Sequence, residues 1–194
     1  MPKAELTFSG KLKSSHRSAI RKAREGLGDV LPVGFNKLSI RINKKTKSYA
    51  YTRESSVPGR MVIKFNPKKH KSRDENRRIG KLTQTISHEM YVHARNDLTL
   101  LSQSQPTLKA KVEHNRMHDP LHRQGFLDMS RRTFDQLENN TQKRAFAESW
   151  FRDMKNEIGS SGLPKDQRRE RKTWALERQN SMVHAIDHRG EHNW

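Results

Sequence analysis

Five of the ten histidines fall within residues 88–122: His88, His93, His114, His118 and His122. The densest stretch is Thr85-Ile-Ser-His-Glu-Met-Tyr-Val-His-Ala94, where His88-Glu89 is followed by His93. This is HExxxH, one residue longer than HExxH. In HExxH, two histidines four apart grip Zn²⁺ from one helical face, and the glutamate takes a proton from the bound water. At about 100° per residue, histidines five apart stand about 140° from each other on a regular helix, too far round to share a metal. A one-residue bulge of π type inside Glu89–Val92 would return them to one face, and such bulges concentrate at functional sites. On an unbroken helix Glu89 and His93 are instead the i,i+4 pair, and Glu89 becomes a ligand rather than a base. Tyr91, inside the motif, reads either as packing or as a stabiliser of a developing oxyanion.

A second motif follows in Glu113-His-Asn-Arg-Met-His-Asp-Pro120. His114 and His118 are i,i+4 and share a helical face, with Glu113 and Asp119 flanking them. A water-bearing zinc site needs three protein ligands, and a third ligand from a downstream helix is what such a site requires. His122 is placed to donate to a ligating group, a usual role for a neighbour of a metal. Glu157 lies near an apolar face as a reserve ligand, whereas Glu148 falls on the surface. His184, His188 and His192 are four apart near the C-terminus and read as a solvated tail. The chain has no cysteine, which excludes thiolate zinc sites, iron–sulfur clusters, disulfides and cysteine nucleophiles. It also has no P-loop, GxGxxG or GxSxG pattern, which disfavours nucleotide hydrolysis, Rossmann redox chemistry and α/β-hydrolase chemistry.

The elements that must position these residues can be read in outline. Ser14 or Ser15 can cap a basic helix to about Glu25, with Ala19, Ile20 and Ala23 as its stripe and Gly26/Gly28 as its stop. Lys37–Asn43 alternates as a half-buried strand, Ser48–Arg53 follows a lysine-rich turn, and Arg60–Phe65 follows Pro58-Gly59. These three suggest a small antiparallel sheet, with Arg60–Phe65 as an edge strand able to align an extended substrate. Asp74 or Ser72 starts a long helix to about Asn96, carrying the Ile79/Leu82/Ile86/Met90 stripe. Further helices are expected from Pro106-Thr107 to before Pro120, over about Met129–Glu138, over Thr141–Ile158 capped by Asn140, and over Asp166–His188. Gly159–Pro164 reads as a linker. The expected fold is α+β, a small sheet followed by an active-site helix and a helical C-terminal half. Residues 1–158 form the domain, and 159–194 a linker with a charged helix.

The 194 residues carry 40 Lys+Arg against 21 Asp+Glu, a net charge of +19. The excess is uneven: residues 1–81 hold 22 basic and 6 acidic side chains, and the remainder is nearly balanced. Such a block is either a solvated face or a footprint for nucleic acid or another polyanion, although no helix-turn-helix, zinc-finger or RNA-binding aromatic motif accompanies it. No apolar run approaches the roughly 18 residues of a membrane span. The first ten residues lack the apolar core of a Sec signal, so the expectation is a cytoplasmic location in the producing cell.

Arg60-Met-Val-Ile-Lys-Phe-Asn followed by Ile79-Gly-Lys-Leu-Thr-Gln-Thr-Ile-Ser-His-Glu resembles the strand-then-active-helix core of zincin metallopeptidases. Its HExxxH spacing is similar to that of the dipeptidyl-peptidase family with the longer motif. The pairing of His88-Glu89…His93 with Glu113-His114…His118-Asp119-Pro120, and the later Arg131–Leu137 and Gln142–Trp150 stretches, resemble metallopeptidase-like toxin domains of bacterial polymorphic toxins and contractile-injection cargo. The resemblance implies Zn²⁺ held by His88, His93 and one of His118, His114 or Glu113, with Glu89 as general base. It further implies a protein or peptide substrate, an acidic immunity protein as partner, and secretion or injection by a specialised system. The basic block keeps a metal-dependent nuclease, or a nucleic-acid-binding module that is not an enzyme, as the alternative.

Overall fold

The computed structural model describes residues 5–9, 11–28, 36–96, 108–120 and 126–188. His122 and His192 therefore lie outside the described residues. In chain order the elements are β1 (Glu5–Ser9), α1 (Ser14–Leu27), β2 (Lys37–Ile42), β3 (Ala50–Glu54), β4 (Arg60–Phe65) and α2 (Glu75–His88). A π-helical segment (Glu89–Arg95) continues α2, and α3 (Leu108–Pro120), α4 (Phe126–Asp135), α5 (Asn140–Ser160) and α6 (Lys165–Asp187) follow. The fold is α+β, with four strands and six α-helices among the described residues.

The sheet has the order β1-β2-β4-β3 and is mixed rather than antiparallel. β1 pairs parallel with β2, and β2 with β4, so that Phe8, Ile40 and Ile63 stand in register; only β3 runs antiparallel, against β4. The physical reason is the fourth strand. β1 precedes α1, and a helical crossover returns the chain in the same direction, which makes β2 parallel to β1. The chain then goes out to β3 and returns through the Pro58-Gly59 turn, where Gly59 takes φ 72°, to place β4 between β2 and β3. Arg60–Phe65 is therefore an inner strand, and the antiparallel edge is β3.

Alternation along these strands sets the faces. Met61, Ile63 and Phe65 are fully buried on one side of β4, with Leu38 and Ile40 beside them on β2. The β3–β4 register, Ala50 opposite Phe65 and Thr52 opposite Ile63, puts Thr52 on that same covered face. α2 packs between α1 and α5, and α6 packs on the far side of α5. Ala19, Ile20 and Ala23 of α1, and Leu82 and Ile86 of α2, are wholly buried in this core. The α2–α5 approach is close because Gly80 faces the Gln142 carbonyl, where a Cβ would meet that oxygen at 2.1 Å.

Helix bounds differ by one to three residues from the sequence expectation, most at α4, expected over about Met129–Glu138 and found at Phe126–Asp135. α1 is capped at Lys13 rather than by Ser14 or Ser15, and α5 by Asn139 rather than Asn140, since the Asn139 side chain accepts the Gln142 N–H. Asp74 caps α2, accepting from the Asn76 and Arg77 N–H groups. α6 is charged on its outer side, but Ala175, Met182, Ala185 and Ile186 are buried in the common core and Trp174 lies 6.1 Å from Trp150, ring to ring. Among the described residues, no helix is long and apolar enough to cross a membrane.

Candidate metal centre

The long helix changes its winding at the HExxxH motif. α2 runs regularly to His88, and from Glu89 to Arg95 the backbone is π-helical. Residues five apart stack in a π turn, so His88 and His93 come to one face. Their rings lie 5.2 Å apart between centroids, and their Nε2 atoms 3.3 Å apart. The core rewards the wider turn: Met90, Val92 and Ala94 stay buried while the two imidazoles emerge together. The unbroken-helix arrangement, with Glu89 and His93 as ligands, is not the one adopted.

α3 supplies the third imidazole. His88, His93 and His118 each offer a ring nitrogen, and all three atoms lie within 4.8 Å of one another. His118 is 2% exposed and His88 8% exposed, so this is a largely buried group of three bases. His118 Nδ1 lies 3.7 Å from Glu157 Oε2 on α5, which orients the other ring nitrogen towards the cluster. Glu157, expected as a reserve ligand, thus stands behind a histidine rather than in the group of three.

His114 is also brought in, but alongside. Its ring stacks on His93 at 5.3 Å and 9° between planes, and lies 5.1 Å from His118. Burial, and then the neighbouring His93, lower its pKa to about 4. Its buried Nδ1 meets no hydrogen-bond partner among the described residues. Glu113 points elsewhere: its carboxylate accepts from the Arg116 guanidinium at 2.8 and 3.1 Å, on the exposed side of α3. Tyr91 is packed against Phe126, ring centroids 6.0 Å apart, with the Arg95 guanidinium over its ring. Those contacts are the packing arrangement of the two that the sequence left open. Glu148 is on the surface, paired with Arg77, and His184 stacks on His188 away from the cluster.

Glu89, next to His88 in the chain, is buried, 5% exposed. Its Oε2 accepts a 2.6 Å hydrogen bond from Thr52 Oγ1 of β3, across the sheet-to-helix interface. Burial pushes the Glu89 pKa up to about 8, and the negative charge of Asp153 adds to the rise, against the lowering from Thr52. Asp153 is itself raised by burial, although Arg152 bonds to it. Glu157 is raised to about 7 by burial, Asp153 and Glu89, with about a third of its side chain still open to solvent. Glu89, Asp153 and Glu157 thus lie close enough to raise one another, and Glu157 also approaches His118. Thr52 and Asp153 carried no sequence signal; each is an ordinary residue until the fold sets it beside Glu89.

No family model, curated protein or solved structure matches this chain. The donor set itself says what the site can hold. Two nitrogens at 2.0–2.1 Å from a tetrahedral zinc are about 3.3–3.4 Å apart, and the His88–His93 separation is 3.3 Å. The buried His88-His93-His118 cluster could therefore hold a metal ion. Neutral imidazoles suit zinc, copper, iron and nickel, whereas magnesium and calcium prefer oxygen.

Proposed function

We propose that this chain is a zinc-dependent metallohydrolase, and specifically a metalloprotease, with His88, His93 and His118 as ligands and Glu89 as general base. The observation that carries the reading is the π-helical turn, which sets His88 and His93 at a tetrahedral ligand separation with His118 facing them. Three imidazoles leave a coordination position for water or substrate, the pattern of catalytic rather than structural zinc. When bound, zinc supplies Lewis acidity towards a scissile carbonyl and lowers the pKa of a coordinated water.

The chain's own residues supply the rest. Thr52 fixes Glu89 Oε2, which leaves Oε1 as the atom that takes and returns the proton. A carboxyl held at one oxygen and open at the other can take a proton and give it back. Glu157 holds His118 in one ring orientation, as carboxylates do for metal-bound histidines. β3 pairs only with β4 among the described residues, so its outer edge offers main-chain groups to an extended peptide running past Glu89. This favours a peptide over a nucleic acid as substrate. A role as a secreted or injected toxin or effector, with an acidic immunity protein, rests on the resemblance of the two histidine motifs alone.

The test is Glu89→Gln, assayed against a mixed peptide substrate with metal content measured in parallel. Retained zinc with cleavage reduced by several orders of magnitude is the expected result. Plasmid nicking that depends on Glu89, without peptide cleavage, would transfer the site to the nuclease reading.

A further inference from the structure

The N-terminal positive charge has its own focus, and it shares no residue with the histidine cluster. β1, β2 and β4 run parallel, so their carboxyl ends finish on one edge of the sheet. Ligands of parallel sheets bind beyond that edge, where the following helices begin. A cavity of about 680 Å³ opens there. Lys11 and Lys13 reach it from the β1–α1 connection, Arg41 and Lys44 from the end of β2, and Lys68 and Lys71 from the loop after β4. Arg78 of α2 lies at its side, already bonded to the Ser72 carbonyl and Ser15 Oγ.

No carboxylate is among the described residues lining this cavity. Outside the lining, Glu75 takes a 3.4 Å hydrogen bond from Ser14 and lies 3.9 Å from Arg78. α1 starts at the same place with no acidic residue in its first turn, so the positive end of its dipole adds to the field. Six cations with no counter-charge between them repel one another, and a single phosphate neutralises at most about two of them. Ile42 and Pro67 give the wall an apolar portion on which a scaffold can rest. The volume lies within the roughly 300–1,000 Å³ of small-molecule sites, and the cations converge on a concavity rather than lying along an open stripe.

We propose that this pocket binds a compact, water-soluble polyphosphate, several phosphate groups carried on one small scaffold. Lys44, Lys68 and Lys71 would engage the outer phosphates, while Lys13 and the start of α1 would engage the innermost.

The experiment is isothermal titration of the full chain with sodium tripolyphosphate at physiological ionic strength. Three proteins are compared: the unaltered chain, K44A/K68A/K71A, and K155A/K165A/K172A, which removes the same charge from exposed positions on α5 and α6. Thermal melts check that each is folded. Saturable one-to-one binding is expected, roughly tenfold or more weaker in the first variant and within about twofold of the unaltered chain in the second. Absence of saturation, or equal weakening in both variants, overturns the proposal. So does duplex DNA, or vesicles carrying phosphatidylinositol bisphosphate, that bind this face and are not displaced by tripolyphosphate. A peptidase test that fails at Glu89 leaves this result unaffected, and the reverse also holds.

Discussion

His88 and His93 bring their Nε2 atoms to 3.3 Å although they stand five positions apart in the chain. On a regular helix their side chains would diverge by about 140°, so the contact exists because Glu89–Arg95 winds as a π-helix. The extra residue in HExxxH is absorbed by the backbone, and the two imidazoles then meet His118 from α3.

Zinc should therefore stabilise the fold, through all three histidines. An ion at about a hundred times its dissociation constant adds about 2.7 kcal/mol to a folded state that alone binds it. Thermal melts with and without zinc should show a rise in Tm for the unaltered chain. The rise should be largely lost in His93→Ala and in His118→Ala. With no cysteine in the chain, thiol binding cannot imitate the effect.

Glu157→Gln tests the support behind His118. Its carboxylate lies 3.7 Å from His118 Nδ1, and if His118 binds metal, loss of such a partner should weaken that binding by about 10–100-fold. Competition with a zinc chelator should show that weakening while the circular dichroism spectrum stays unchanged. An unaltered zinc affinity would remove Glu157 from the site.

The hydrogen bond from Thr52 to Glu89 makes a separate claim. Thr52→Val keeps the shape of a 3% exposed side chain but leaves the buried carboxyl without this donor, at a cost of about 1–3 kcal/mol. Turnover should fall and zinc content should not, while Thr52→Ser restores both stability and rate. Equal behaviour of Val and Ser would show that the hydroxyl has no part.

Much of this arrangement was legible in the sequence, for identifiable reasons. The HExxxH spacing has few helical solutions, so a π bulge could be anticipated from residues 88–93 alone. The choice of His118 over Glu113 could not. Both lie on one short helix, and only the placement of α3 turns His118 inward and leaves Glu113 with Arg116. The sheet misled because strand direction is a long-range property. Leu38, Ile40 and Ile42 alternate identically in parallel and antiparallel pairing, and β1, with only Leu6 and Phe8 as apolar residues, carries a weak signal. Thr52 illustrates the same limit, since a threonine on a strand says nothing until the register sets it opposite Ile63 and under Glu89.

Stability should also depend on pH through a histidine away from the metal centre. His70 is 1% exposed, donating from Nδ1 to the Asn66 carbonyl and accepting at Nε2 from Thr85. Burial lowers its pKa to about 4, with nearby cations adding to the effect and the Asn66 carbonyl opposing it. The unfolded chain takes up this proton below about pH 6.5 and the folded chain does not until about pH 4, so stability is full above 6.5 and falls between those values. Urea unfolding at pH 7.5 and pH 5 should show a loss from this residue of about 2 kcal/mol. His70→Gln should shrink the pH-dependent difference by that amount, and an unchanged difference would contradict the assignment.

Two glycines on helices should respond oppositely to the same change. A Cβ at Gly80 would stand 2.1 Å from the Gln142 carbonyl oxygen, whereas at Gly159 nothing lies within 4 Å. Gly80→Ala should destabilise the α2–α5 interface by about 1–3 kcal/mol. Gly159→Ala should stabilise by about 0.5–1 kcal/mol, the ordinary helical advantage of alanine. Chemical denaturation of the two variants checks the sign directly.

An anomalous difference map at the zinc absorption edge, from crystals grown with zinc, reads the metal centre and its ligands together. One dominant peak is expected within about 2.0–2.1 Å of ring nitrogens of His88, His93 and His118, with Glu113 away from it. A map with no peak among these three rings, or a peak held by other residues, would contradict the assignment.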